Sequence, residues 1–219
     1  MTLKETGGAK LVVLEKDSIR VFALNSRRQW LLGRVSRDAE PEIPLESRIA
    51  SRQHGWLMGM DEEWFYVDNP RNLNGTWLNG NRIPRPLNGT RKPITLRDGD
   101  VLRISGGEVE GEQDAVVMLF LARSDMGKWA VYPLQEGETV TVVRDRENGS
   151  RRFLPGICEG EARITCLNSW YYLTDCGSPA GTVLNGKPLS GTAVLRERDH
   201  FSVCGGNFFF LRDRVLYER

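Results

Sequence analysis

The chain has 219 residues, enough for one large domain or two of about 100 residues each, and its 40% apolar content supplies a core for either arrangement. Thirty basic residues stand against 29 acidic ones, a net charge of +1, which gives no whole-chain attraction to nucleic acid or to an anionic membrane surface. No apolar run approaches the roughly 20 residues of a membrane-spanning helix, and the opening MTLKETGG holds no apolar segment of a signal peptide, so a cytoplasmic protein without membrane association is expected.

Residues 1–9 are small and polar and read as a flexible tail. Residues 10–14, 19–24 and 30–34 are rich in Val, Leu, Ile and Phe, are separated by charged or Asn-Ser turns, and read as short strands. Residues 39–44 hold two prolines and read as loop, with Ile43 and Leu45 on one face of a short strand. Residues 55–60 and 64–68 form a hairpin around Asp61, Glu62 and Glu63; 69–74 is a loop and 76–78 a short strand. Asn79-Gly80 is a two-residue hairpin signal followed by Arg82-Ile83. Residues 84–93 read as another loop, and 101–105 and 115–122 bring the count to about ten strands. No stretch keeps a helical period over three turns. Many short strands punctuated by turn signals predict an all-β sandwich.

Three clusters lie along this first half: Gly33-Arg34; Ser51-Arg52-Gln53-His54-Gly55; and Asn74-Gly75-Thr76-Trp77-Leu78-Asn79-Gly80. Together, in this order and with strand-like segments between them, they resemble the forkhead-associated (FHA) family, whose domains bind phosphothreonine peptides. The residue types suit that chemistry. A phosphothreonine carries about 1.5 to 2 negative charges and three acceptor oxygens. Arg34 offers a planar fork of N–H donors, Ser51 a short hydroxyl donor, and Asn74 an amide able to pair with a peptide backbone. The resemblance implies that Arg34, Ser51 and Asn74 contact the ligand, with Arg52, Arg71 and Arg48 as further candidates. It implies structural support from Gly33, Gly75, Thr76, Asn79 and Gly80, and makes His54 a histidine that braces the loop by bonding backbone. Leu73 stands where the family often has Ser or Thr, removing one side-chain contact. The acidic residues Glu108, Glu110, Glu112 and Asp114 fall in the loop that reads positions after the phosphothreonine in this family, opposing the pull of Arg48 and Arg71. A Ser/Thr protein kinase pathway is the implied setting, and no cofactor or metal is expected.

The second half repeats the first. Trp64-Phe65-Tyr66-Val67 aligns with Trp170-Tyr171-Tyr172-Leu173 at an offset of 106, and Gly75 to Gly80 then aligns with Gly181 to Gly186 without a gap. Leu96-Arg97-Asp98-Gly99-Asp100 parallels Leu195-Arg196-Glu197-Arg198-Asp199, and Gly106-Gly107 parallels Gly205-Gly206. The expected organisation is a tail over 1–9, an FHA domain over 10–124 and a second, degenerate copy over 129–219, each of about ten or eleven strands. A linker this short argues for a fixed or nearly fixed pair. In the second copy Gly33 becomes Val143, Asn74 becomes Ala180, and 157–161 holds neither Ser nor His, leaving Arg144 alone. That copy reads as a scaffold or docking platform, with at least alternate rings of Phe208-Phe209-Phe210 in its core.

Two other classes stand beside the binding module. A hydrolase would use Ser51, His54 and Asp68, but no Gly-x-Ser-x-Gly elbow or phosphate-binding loop occurs. A nucleic-acid module would need a basic face, and residues 1–124 carry 18 basic against 17 acidic residues. The four cysteines, Cys158, Cys166, Cys176 and Cys204, form no Cys-x-x-Cys pair and read as reduced.

Overall fold

The computed structural model describes residues 8–15, 18–24, 28–38, 40–61, 63–84, 92–106, 115–122 and 128–219. The chain divides into two compact units, Met1–Asp125 and Met126–Arg219, and all regular elements among the described residues are β-strands.

Unit 1 holds β1 (Lys10–Glu15), β2 (Ser18–Ala23), β3 (Gln29–Arg34), β4 (Ile43–Leu45), β5 (Gly55–Met60), β6 (Glu63–Asp68), β7 (Gly75–Leu78), β8 (Asn81–Arg82), β9 (Ile94–Leu96), β10 (Val101–Ser105) and β11 (Val116–Leu121). A six-stranded sheet runs β2-β1-β11-β10-β7-β8, and a five-stranded sheet runs β4-β3-β5-β6-β9. Among the described residues only β3 and β4 pair in parallel. Strand periodicity builds the core: Leu11, Val13, Met118 and Phe120 of one sheet bury together with Leu32, Leu57 and Tyr66 of the other. The sequence reading missed β9. It is three residues long, directly follows Lys92-Pro93, and is defined by its pairing with β6 rather than by any alternation of its own.

Asn79 and Gly80 both take left-handed backbone angles, φ of 49° and 79°, as a two-residue hairpin between β7 and β8 requires. The Asn79 side chain then clasps the start of β10. Its Nδ2 donates to Asp100 Oδ1 at 2.8 Å and its Oδ1 accepts from Val101 N at 2.9 Å, while Arg97 N donates to Asp100 Oδ2 at 2.7 Å.

Unit 2 holds β12 (Trp129–Pro133), β13 (Thr139–Arg144), β14 (Arg151–Pro155), β15 (Ala162–Leu167), β16 (Trp170–Asp175), β17 (Thr182–Leu184), β18 (Lys187–Pro188), β19 (Thr192–Leu195), β20 (His200–Val203), β21 (Gly206–Leu211) and β22 (Arg214–Glu218). Its sheets run β12-β22-β21-β20-β17-β18 and β14-β13-β15-β16-β19. The same clasp recurs: Asn185 Nδ2 donates to Asp199 Oδ1 at 2.8 Å, and Arg196 N donates to Asp199 Oδ2 at 2.8 Å. The alternate rings of Phe208-Phe209-Phe210 enter the core as expected, and the middle ring is buried as well. Phe208 and Phe210 face the core, and Phe209 packs on the other face against His200 and Trp129, with centroids 4.9 and 6.0 Å away.

The copies differ in three ways that the sequence does not announce. First, the offset of 106 fails in one strand. Tyr66 opposes Ile94 and Trp64 opposes Leu96, whereas Leu173 opposes Ala193 and Tyr171 opposes Leu195. Trp64 thus corresponds to Tyr171, and Trp170 sits at the hairpin end, 57% exposed. Second, β14 pairs antiparallel with β13 where β4 pairs parallel with β3. Third, the outer strands are permuted. In unit 1, β11 is flanked by β1 and then β2; in unit 2, β21 is flanked by β22 and then β12. The last strand of the chain therefore fills in unit 2 the place that the first strand fills in unit 1.

Because β22 is an interior strand, carrying Val215 and Tyr217 into the core, it is not a dispensable tail. Removing residues 214–219 is expected to abolish amide protection throughout β12–β21 while leaving protection in unit 1 unchanged. Hydrogen exchange read by mass spectrometry checks this, and retained protection in β20 and β21 would contradict it.

Candidate functional site

Strand β3 ends on Gly33-Arg34 and the loop 46–54 lies directly over it. A Cβ on Gly33 would stand 2.0 Å from the Arg52 carbonyl oxygen, so only glycine allows this approach. Close contact, not an unusual φ, is what position 33 requires. The neighbouring Arg34 N–H then donates to Ser51 O at 2.9 Å. The Arg34 Nε donates to Ala50 O at 3.4 Å, and among the described residues no carboxylate lies within ion-pair distance of its guanidinium. The two terminal nitrogens keep donors for a ligand.

Ser51 Oγ accepts from Leu73 N at 3.3 Å, which joins the loop 46–54 to the loop 69–74 and leaves the hydroxyl proton available. Asn74 Nδ2 donates to Ile49 O at 2.7 Å, a second tie between the same loops. Asn74 is not in a left-handed conformation, so it is not the left-handed turn residue that its type allows; one Nδ2 proton is used on Ile49 O, and the side chain keeps Oδ1 and a second N–H. Asn69 Nδ2 adds a bond to Gln53 O at 2.7 Å. The structure therefore brings Arg34, Ser51 and Asn74 to one end of unit 1 through backbone and side-chain ties. Arg48, Arg52 and Arg71 are exposed around it; Arg52 approaches Asp38 only at 4.0 Å, with both side chains mostly in solvent. Leu73 is 85% exposed beside them. Glu108, Glu110, Glu112 and Asp114 lie outside the described residues. Asn79 and Gly80 lie at the far end of β7, where they shape the hairpin and its clasp.

Beneath the loops is a polar network enclosed by the two sheets. His54 is fully buried; its Nδ1 accepts from Ser51 N at 3.2 Å, and its Nε2 faces Thr76 Oγ1 at 3.1 Å. Thr76 Oγ1 donates to Asp68 Oδ1 at 2.7 Å. Tyr66 OH and Asn72 Nδ2 donate to the same oxygen at 2.9 and 2.8 Å. The Ser51 N–H fixes the tautomer: with Nδ1 an acceptor, the imidazole proton sits on Nε2. Burial pushes His54 down from 6.5 to about 4, the Asp68 charge opposing the shift. Burial first, then the Asp68 charge, hold the Tyr66 phenol well above its ordinary value. A neutral histidine with both nitrogens occupied and no bond to Ser51 Oγ is a brace, not the base of a hydrolase.

The sequence reading missed Tyr66 and Asn72, and took Asp68 only as a member of a catalytic set. The available signal was Tyr66-x-Asp68 in a strand, because residues two apart share a face and a carboxylate on a core-facing side needs partners. It also passed over Gly55, where a Cβ would meet the Tyr66 hydroxyl at 2.4 Å, so the glycine makes room for that ring. At Gly75 a Cβ would meet the guanidinium end of Arg82, with Nε at 2.9 Å and Nη2 at 3.2 Å.

Unit 2 keeps the foundation without the cradle. Thr182 Oγ1 donates to Asp175 Oδ1 at 2.6 Å, but no histidine stands above it. The close approach of loop and strand is reversed: the glycine is now Gly160 in the loop, whose Cβ would stand 2.4 Å from Thr141 Cγ2. Arg144 is exposed. The four cysteines carry free thiols, and burial raises Cys166, Cys176 and Cys204, which disfavours the thiolate.

The FHA domain family model matches residues 30–105 and 160–204. The E3 ubiquitin-protein ligase DMA2 of Saccharomyces cerevisiae is 27% identical over 167 residues; the match covers 66% of this chain and 31% of the ligase, so this chain spans under a third of that relative's length. Among solved structures, full-length yeast Pml1p is 26% identical, with 52% of this chain and 80% of that one covered at a TM-score of 0.42. The FHA domain of CT664 from Chlamydia trachomatis is 23% identical, with 52% and 95% covered at a TM-score of 0.39.

The buried imidazole makes stability depend on pH with a definite sign. As pH falls below 6.5 the unfolded chain protonates His54, while the folded unit resists until about pH 4. Unit 1 therefore keeps this contribution, on the order of 3 kcal/mol, above pH 6.5 and loses it progressively down to about pH 4. His54→Ala is expected to cost about 1–3 kcal/mol at neutral pH, because Ser51 N–H is left buried without its acceptor, and to flatten this part of the profile. Urea unfolding of both proteins across that pH window measures it; parallel profiles would mean that His54 is not the titrating group.

Proposed function

Since the chain belongs to the FHA domain family, we propose that unit 1 is a phosphothreonine-peptide receptor and the chain an adaptor in Ser/Thr kinase signalling. The observation that supports this most is the Arg34 guanidinium. It is positioned by Ala50 O and by the Arg34 N–H bond to Ser51 O, within one loop of the Ser51 hydroxyl and the Asn74 amide. Fixed donors of this kind suit a dianion, since their immobilisation cost is met in folding rather than in binding. In this reading Arg34 and Ser51 hold the phosphate, Asn74 holds the peptide backbone, Arg52 and Arg71 lie alongside, and Gly33 and His54 keep the loop in place.

No turnover is assigned to the cradle, because the one histidine beneath it is neutral, enclosed and bonded at both nitrogens. The ligase activity named for the yeast relative is likewise not carried over to this chain. Unit 2, with Arg144 but neither a serine nor an asparagine counterpart, serves in this proposal as a scaffold or docking platform for another protein. A phosphothreonine ligand also implies a Ser/Thr kinase that writes the mark and a phosphatase that removes it.

The test begins with an oriented phosphothreonine peptide library and its unphosphorylated controls. Arg34→Ala in the full chain is expected to abolish all phosphate-dependent binding while leaving the fold intact. A charge-assisted hydrogen bond contributes about 1.5–3 kcal/mol and a fork makes two, against about 8 kcal/mol for micromolar binding. Residual phosphate-dependent affinity, measured by calorimetry, would locate a second site in unit 2 or move the phosphate away from Arg34.

The family relationship also supports a small apolar pocket for the threonine methyl group. One buried methyl is worth roughly 0.8 kcal/mol, so phosphothreonine is expected to bind about fourfold tighter than phosphoserine in matched peptides. Equal dissociation constants would remove the pocket from the account.

A further inference from the structure

We propose that Glu15, which lies on the sheet opposite Arg34, is a positioning residue of the phosphate loop. It anchors the loop's first residues as His54 anchors its last ones. The functional half of this proposal rests on the phosphothreonine reading above.

Glu15 is the last residue of β1 and is 0% exposed. A buried carboxylate is costly unless its oxygens are fully used, and these are shared between Arg20 of their own hairpin and the backbone of the loop 46–54. Glu15 Oε1 and Oε2 accept from Glu46 N at 3.0 and 2.9 Å, and Oε2 also accepts from Ser47 N at 3.1 Å. Arg20, on the neighbouring β2, ion-pairs with Oε1 and lies over the Phe22 ring at 5.6 Å. Charge-assisted bonds to backbone N–H groups are among the stronger ones available to a loop.

From that anchor the bonds run on to the cradle. Ser47 folds the next residues into a tight turn: Ile49 N donates to Ser47 Oγ at 3.3 Å and Ala50 N to Ser47 O at 3.2 Å. The carbonyls of that turn are the ones that hold the ligand-facing groups, Ile49 O on Asn74 Nδ2 and Ala50 O on Arg34 Nε. His54 closes the loop at Ser51 N. Displacement of Glu46 and Ser47 would therefore move both carbonyls that aim Asn74 and Arg34. The β1–β2 hairpin does not need the carboxylate for itself, since its ladder pairs six positions from Lys10–Ala23 to Glu15–Ser18. Unit 2 has no such hairpin. The strands in the corresponding places, β22 and β12, come from opposite ends of the unit, so no residue at a turn there can fill the role of Glu15.

The experiment uses the full chain carrying Glu15→Gln, which keeps the size of the side chain but removes its charge and presents an N–H to other N–H groups. Amide exchange by NMR is expected to speed up about tenfold or more at Glu46, Ser47, Ala50 and Ser51, with β10 and β11 unchanged. Affinity for the phosphothreonine peptide that the unaltered chain binds best is expected to fall about tenfold or more. Unchanged exchange at Ala50 and Ser51 in the folded variant would overturn the anchor. Faster loop exchange with unchanged affinity would overturn the functional half, and acceleration spread evenly over the sandwich would make Glu15 a general stabiliser instead. If Glu15→Gln does not fold, Glu15→Asp, which withdraws the carboxylate by one methylene, is read in the same way. Should the unaltered chain bind no phosphothreonine peptide, the proposed function fails, and the exchange data alone decide on the anchor.

Discussion

Thr76 Oγ1 accepts from His54 Nε2 and donates to Asp68 Oδ1, and through that hydroxyl the six-stranded sheet, which carries Thr76, is tied to the five-stranded one, which carries Asp68. The rest of the site depends on this link. With Nδ1 accepting the Ser51 N–H that keeps the loop closed, the His54 proton sits on Nε2, and Thr76 Oγ1 is the acceptor that meets it there. A protonated imidazole would present a second donor to that N–H, so the loop conformation and the neutral state of His54 are one condition. Burial enforces it at neutral pH more strongly than the Asp68 charge opposes it. Asp68 is in turn bonded by Tyr66 and Asn72, which meets the need of a buried carboxylate for several donors.

The two units separate what the fold needs from what the site needs. Both keep the Asn–Asp clasp, and both keep a threonine donating to an aspartate at the foot of the loops. Those features hold a hairpin and two sheets together and are indifferent to a ligand. What unit 2 gives up is the upper layer: the histidine, the serine, the asparagine and the longer loop. Its replacement is not a random erosion, because the close approach of loop and strand survives with the glycine on the opposite partner, Gly160 for Gly33. Packing at the end of the sandwich is thus retained while the serine, histidine and asparagine are not, so the two requirements are separable in this fold.

Much of the fold was legible in the sequence because local chemistry carried it. Asn79-Gly80 announced a hairpin, and both residues take the left-handed angles it demands. Alternating apolar runs gave most strands, and the repeated motifs gave two copies. What stayed hidden was fixed by partners distant in sequence. Strand β9 exists because β6 offers it an edge. The one-residue shift between β6 and β16 came from a shorter loop downstream, invisible where Trp64 and Trp170 invited alignment. The glycine at 33 was conspicuous as part of a motif, but its cause, an Arg52 carbonyl 2.0 Å from where a Cβ would be, belongs to a residue 19 positions away. Glu15 sat in a charged turn between two predicted strands, and the N–H groups that donate to its carboxylate belong to Glu46 and Ser47, about 30 residues further along the chain in the loop 46–54.

These long-range ties bear on how the proposed site and the stability of unit 1 are related. The loop 46–54 is held from the five-stranded sheet by Gly33, Arg34 and His54, and from the six-stranded sheet by Glu15 and, through His54, by Thr76. Neither sheet alone defines the positions of Arg34, Ser51 and Asn74. A ligand that binds only the assembled cradle must therefore stabilise the packing of one sheet on the other, by an amount set by its concentration relative to its dissociation constant. The converse also holds: a core substitution that loosens the contact between sheets acts on the cradle even when it touches none of its residues. In such an architecture affinity and stability are coupled through the loop, and separating them requires changing a group such as the Arg34 guanidinium, which in the proposed function would serve the ligand and which bonds the loop through Nε alone.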